Sequence, residues 1–228
     1  MSTKISILMS LFLAITSCQS NTEKTFKFQE GDLLFQDSDC GAFCEAIKKV
    51  TFGYEGVDYS HVGLVKKDQS QNWVVLEAVS KGVVETPLDE FLQRNLDDQN
   101  QPRVSVGRLS SDYQHLFPAA IQYGEKYLGK PYDQIFDINN DAYYCSELVY
   151  LLFKEANGGK DVFDLEPMTF VDPDTRNTFP VWEDYYQQLG VAIPENKPGL
   201  NPGSISRSEK LTIYYPYSQF SNIRHPED

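Results

Sequence analysis

A helix with a cysteine at its head, far downstream of a strand that carries a histidine, constrains this chain more than any other feature. Over residues 142–155, Cys145, Leu148, Val149, Leu152 and Phe153 recur at spacings of three and four. That is the period of a helix with one apolar face. Gly158 and Gly159 stop it, and Asn139, Asn140 or Asp141 offers a cap at its start. Upstream, residues 60–66 alternate as a strand does: His61, Gly63 and Val65 share one face, Val62 and Leu64 the other.

The remaining patterns surround these two. An opening strand is expected over 26–35, a short helix over 41–50, and a second strand over 72–80, joined to 60–66 through Asp68, Gln69, Ser70 and Gln71 as a hairpin. Residues 83–85 extend after the Lys81-Gly82 turn, and Pro87 starts a helix through about 96. A strand over 103–109, an amphipathic helix over 116–128 stopped by Gly129 and Pro131, a helix over 182–189 and a returning strand over 211–215 complete the reading. Strands grouped together with helices around them predict an α+β domain built on a central antiparallel sheet.

The N-terminus reads as a leader. Lys4 precedes a short apolar run over 5–15, too short to span a bilayer, and Ile15-Thr16-Ser17-Cys18 closes it as a bacterial lipobox does. The expectation is a signal peptide over 1–17, lipidation at Cys18, a tether through 25 and one domain over 26–228. Such a chain is exported and held by lipid in the cell envelope, at the outer membrane. The net charge of −13 becomes −14 once residues 1–17, with Lys4, are removed. So acidic a surface argues against nucleic acid and against attraction to anionic lipid. A lipid anchor needs no such attraction.

Of the four cysteines, Cys18 is consumed by the anchor. Cys40 and Cys44 are four apart, and a bridge between them is conceivable but tight. Cys145 is left as a free thiol in an exported protein, which flags reactivity. Taken alone, a cysteine on an apolar helix face is usually a small buried hydrophobe. Its place in the first turn changes that, because unpaired N–H groups and the helix dipole favour a thiolate there and an oxyanion beside it. The Cys145 backbone N–H is one candidate oxyanion donor, and the Tyr144 hydroxyl or another backbone amide a second.

His61 is the partner base, since the other two histidines, His115 and His225, lie in less ordered contexts. Gly63 beside it leaves room for another group to approach. Glu77 interrupts the apolar run Val74-Val75-Leu76-Glu77-Ala78-Val79, where a charge is costly unless paired. In a hairpin it reaches the His61 face and can orient the imidazole; the alternative is an edge carboxylate in solvent. No cofactor is implied, and the spacing of His61, Glu77 and Cys145 matches no zinc pattern.

The segments Gly31-Asp32-Leu33-Leu34-Phe35, Ser60-His61-Val62-Gly63-Leu64-Val65, Leu76-Glu77-Ala78, Leu128-Gly129-Lys130-Pro131-Tyr132-Asp133 and Tyr144-Cys145-Ser146-Glu147-Leu148-Val149 resemble the YiiX-like permuted papain-fold amidases, relatives of NlpC-type cell-wall peptidases. The likeness runs in order from about residue 30 to 153 and more loosely to about 211. It implies a circularly permuted papain-like fold, which accounts for histidine before cysteine. It also implies Cys145 as nucleophile, His61 as base and Glu77 as orienting acid, acting through a thioester on an amide bond. The substrates it implies are a cell-wall peptide or an acyl amide. An acyltransferase using the same thiol and a non-catalytic binding lipoprotein are the competing readings. The segment Asn201-Pro202-Gly203-Ser204 is a further candidate for lining the substrate site.

Overall fold

The computed structural model describes residues 26–214. The leader, Cys18 and the tether lie outside the described residues. Among those described, no helix is long and apolar enough to cross a membrane.

The sheet runs β4-β3-β2-β1-β5-β8, each strand antiparallel to its neighbours. Its strands are β1 (Leu33–Gln36), β2 (His61–Lys67), β3 (Trp73–Val79), β4 (Gly82–Pro87), β5 (Val104–Leu109) and β8 (Leu211–Tyr214). A second, two-stranded ribbon pairs β6 (Glu166–Pro167) with β7 (Pro198–Gly199). The helices are α1 (Ala42–Val50), α2 (Leu88–Gln93), α3 (Ser111–Gln114), α4 (Phe117–Tyr127), α5 (Cys145–Ala156), α6 (Pro180–Leu189) and α7 (Pro202–Ser206).

Alternation along the strands gives the sheet two apolar faces. Leu33, Phe35, Val62, Leu64, Leu76 and Ala78 pack under α5, with α4 beside it. Leu34, Val65, Val75, Val104 and Val106 pack under Leu88, Phe91 and Leu92 of α2, together with Phe26 and Phe28. A third cluster joins α1 to α6 around Ala46, Phe170, Trp182 and Tyr186. This is the predicted α+β architecture.

Two of the boundaries that differ from the sequence expectation bear on the site and its sheet. Strand β1 starts at Leu33, because residues 29–32 turn. Gly31 has φ 91°, and the Asp32 carboxylate accepts the Gln29 N–H at 2.8 Å and Arg108 Nε–H at 2.7 Å. Helix α5 starts at Cys145, three residues later than 142. Asn139, Asn140 and Asp141 cap nothing: Asn140 Oδ1 takes the Ala142 N–H at 2.7 Å in a local turn, and Asp141 pairs with Lys130 at 2.7 Å. The true start is marked by Glu147, whose Oε2 accepts the Tyr144 N–H at 3.2 Å. The result puts Cys145 at the first helical position.

Gly63 also serves a different purpose from the expected one. It lies on the α2 face, where a Cβ would meet Val75 Cγ1 at 2.4 Å and Glu77 Cβ at 3.3 Å. Its lack of a side chain lets β3 and Glu77 close against β2. Gly63→Ala should therefore overpack this seam and cost about 1–3 kcal/mol. A urea-denaturation midpoint equal to that of the parent chain would contradict this.

Candidate active site

The three remote side chains converge at one end of the sheet. His61 is the first residue of β2, and alternation puts it on the α2 side, its ring 6.0 Å from that of Phe91. Because no strand residue precedes it, the ring also reaches the head of α5 on the other layer. There it hydrogen-bonds Cys145. Its Nε2 lies 2.5 Å from Glu77 Oε2. With Nε2 so engaged, Nδ1 is the nitrogen left for the sulfur.

Glu77 is fully buried, and its carboxylate is saturated. Besides His61, Thr86 Oγ1–H donates to Oε1 at 2.5 Å, Arg94 Nη2–H donates to Oε1 at 2.6 Å, and Arg94 Nη1–H donates to Oε2 at 3.0 Å. Burial alone would raise this carboxyl. The bonds from His61, Arg94 and Thr86 outweigh burial and hold it at about 2. Neither Thr86 nor Arg94 was among the sequence candidates. Strand alternation could have found Thr86, which shares Glu77's face on the neighbouring strand. Arg94 comes from just past α2 and left no local signal.

The same charges act on His61 and Cys145. Burial disfavours an imidazolium, but the bonds and charge of Cys145 and Glu77 prevail and hold His61 up at about 9. Burial would raise the Cys145 thiol; the His61 bond and charge, with the Val62 and Ser146 N–H groups, bring it below its ordinary value. Both groups are thus shifted towards their charged forms, the thiol towards thiolate and the imidazole towards imidazolium. The N–H groups of Cys145 and Ser146 head the helix, where no intrahelical carbonyl can take them.

Cys145 is a free thiol, 7 % exposed, and it lines a cleft of about 160 Å³. Tyr144, the side chain named in the sequence reading as a second oxyanion donor, has its hydroxyl turned to the chain beyond β7, where it accepts the Leu200 N–H at 3.3 Å. On the other side of Cys145, Ser146 Oγ–H donates to the Leu200 carbonyl at 3.0 Å. The two neighbours of the thiol thus hold one residue, Leu200, by its N–H and its carbonyl, in the segment that forms a wall of the cleft. Asn201 and Pro202 lie on that wall, as the sequence reading anticipated. Tyr132, which that reading did not single out, lines the cleft beside the thiol, close enough to feel its charge. Cys40 and Cys44 form a disulfide at the start of α1, and the intervening Phe43 faces the cleft. Glu147 is fully buried with Oε1 unpaired, and burial pushes its carboxyl up to about 8.

A thiol at a helix head, an imidazole from a sheet strand and an orienting carboxylate define a papain-like arrangement, here in permuted order. The chain belongs to the permuted papain-like amidase family YaeF/YiiX, C92, whose model matches residues 27–215. It is 34 % identical over 130 residues to the uncharacterized protein YiiX of Escherichia coli K12, an alignment covering 57 % of this chain and 59 % of that protein. A crystal structure titled as metalloprotein yiiX from Escherichia coli O157:H7 superposes with a TM-score of 0.63 at 27 % identity, covering 82 % of this chain and 96 % of the other. Among the described residues here, no group of three or more His, Cys, Asp and Glu is placed to hold a metal ion.

The ion pair sets a pH dependence that can be measured without a substrate. An ordinary thiol loses about tenfold in thiolate for each pH unit below its pKa, near 8.5. Cys145 should instead alkylate with iodoacetamide at pH 6 within about threefold of its rate at pH 8. In His61→Ala the rate at pH 6 should fall at least tenfold. Intact-mass kinetics read both, and a tenfold-per-unit decline in the parent chain from pH 8 to 6 would refute the pairing.

Proposed function

We propose that this chain is a cysteine hydrolase of amide bonds, with Cys145 as nucleophile, His61 as acid and base, and Glu77 as the group that orients and charges the imidazole. The observation that carries the reading is the unbroken series of bonds from the Cys145 sulfur through His61 to Glu77, anchored by Arg94 and Thr86. The Cys145 thiolate attacks the carbonyl carbon, and the oxygen takes up the negative charge. His61 then gives its proton to the leaving amine nitrogen as the C–N bond breaks, leaving a thioester. Water attacks that thioester while His61 takes a proton from it, and the thiolate departs from the released acid.

The oxyanion is met by the Cys145 backbone N–H and by a second donor. Tyr144, whose hydroxyl is turned to Leu200, is the weaker candidate for that donor. Tyr132, on the cleft wall beside the sulfur, is the better one.

Of the two substrate classes in view, the cleft favours the acyl amide. Its walls are Phe43, Ile47, Phe136, Met168, Phe170 and Trp182, among others. Apart from the thiol, Glu166 is the one charged side chain among the described residues that line it. A cell-wall stem peptide carries carboxylates, and no cation lines the cleft to receive them. The leader expected over residues 1–17 is the ground for placing that action at the cell envelope, with the chain held by lipid on Cys18.

Cys145→Ala should abolish release of a fluorescent amine from acyl amides while leaving the melting temperature within a few degrees. Glu77→Gln should lower kcat by roughly 10²-fold. It should also move the alkaline limb of the rate profile from about 9 towards the ordinary histidine value, because the imidazolium loses its partner charge. Full turnover in Cys145→Ala would end the proposal.

A further inference from the structure

We propose that the cleft is a subsite for one compact, uncharged, ring-sized acyl group, and that Phe43 sets its depth. This rests on the reading of Cys145 as the thiol that attacks the acyl carbonyl.

The first observation is size. The cleft that Cys145 lines has a volume of about 160 Å³. A dry apolar cavity on the order of 150 Å³ accommodates a single benzene ring. A long fatty chain cannot be seated in that space and would have to leave it. The second is chemistry. Phe43, Phe136, Phe170 and Trp182 all face the cleft, and their rings interlock around Trp182. The centroid of Trp182 is 4.4 Å from that of Phe43, 5.1 Å from Phe170 and 5.9 Å from Phe136. The edge-to-face packing of Phe170 and Phe136 on Trp182 offers a further ring the same geometry. Glu166 at the rim is half exposed and lies 3.7 Å from Arg207. An anionic group would find no unopposed cation here.

The third observation is that the wall is fixed. Phe43 sits in the first turn of α1, directly before Cys44, and the Cys40–Cys44 bridge closes that turn. Lys48 pairs with Asp37 at 2.7 Å and Lys49 with Asp172 at 2.9 Å, holding the same helix at its other end. Phe43 also lies 5.3 Å from the Tyr185 ring of α6. A wall tied at both ends does not move aside for a longer group, so volume becomes selectivity.

Alkyl chloromethyl ketones test this on the full chain, because their carbonyl and its substituent stand where an acyl group would. The thiolate displaces chloride: an S–C bond forms, the C–Cl bond breaks and chloride leaves. The series is methyl, benzyl, heptyl and pentadecyl, with the second-order rate of labelling at Cys145 read by intact mass and peptide mapping. The benzyl compound should react at least tenfold faster than the methyl and the pentadecyl ones. In Phe43→Ala the optimum should move to heptyl. Ile47→Ala, a smaller truncation on the same wall, should move it in the same direction if Phe43→Ala does not fold. A rate that climbs through pentadecyl, a flat series, or an optimum unmoved in a folded variant overturns the proposal. Ring-selective labelling in a protein that cleaves no amide would instead overturn the hydrolase reading and leave the subsite standing. Amide turnover with a flat labelling series would do the reverse.

Discussion

A carboxylate buried in the middle of a strand is the constraint around which the site is arranged. Left unpaired, the Glu77 charge would cost several kcal/mol in so dry a place, or the group would take up a proton. It is met instead by His61 from β2, Thr86 from β4 and Arg94 from the end of α2. Each partner comes from a different element, so the charge is satisfied only when β2, β3, β4 and α2 have all assembled. The imidazole is then not merely near a carboxylate. It is held by one whose remaining lone pairs are already occupied, which fixes where the ring can point.

The thiol and its imidazole partner span the two layers of the fold. Glu77 and the body of the His61 ring belong to the α2 side of the sheet, whereas Cys145 heads a helix on the opposite side. They meet because His61 is the terminal residue of its strand and Cys145 the initial residue of its helix. A thiol further along α5 would face hydrocarbon between Leu148 and Phe153, and a histidine further along β2 would be sealed beneath α2. The residues on either side of the thiol then grip Leu200 by its N–H and its carbonyl, so the cleft wall is referenced to the thiol itself.

Much of this was legible in the chain. Period-two and period-three-to-four patterns placed the central strands and α5, since those elements bury an apolar face and must repeat accordingly. The cost of a charge within Val74-Val75-Leu76-Glu77-Ala78-Val79 marked Glu77 for pairing, and the free thiol at a helix head marked Cys145. The start of α5 was misread because Asn139, Asn140 and Asp141 have the right side chains for a cap but spend them on local turns and on Lys130. Gly63 was read as open space for a reacting group, whereas β3 occupies it. The Cys40–Cys44 bridge was left open by spacing alone, because the outcome depends on how α1 begins.

What the sequence determined by itself was the inventory and its order: a histidine strand before a cysteine helix, a carboxylate that must find partners, and an α+β arrangement in which antiparallel neighbours follow from short connections. What only the tertiary structure decided was everything that depends on distant segments sharing a volume. Arg94 reaches Glu77, the two neighbours of Cys145 bond Leu200, and Phe43 lines the cleft, yet none of these has a local pattern that predicts it. Short-range periodicity reports which face of an element is buried. It carries no information on which side chain from a remote element arrives there, and that is settled by packing and by the need to pair each buried polar group.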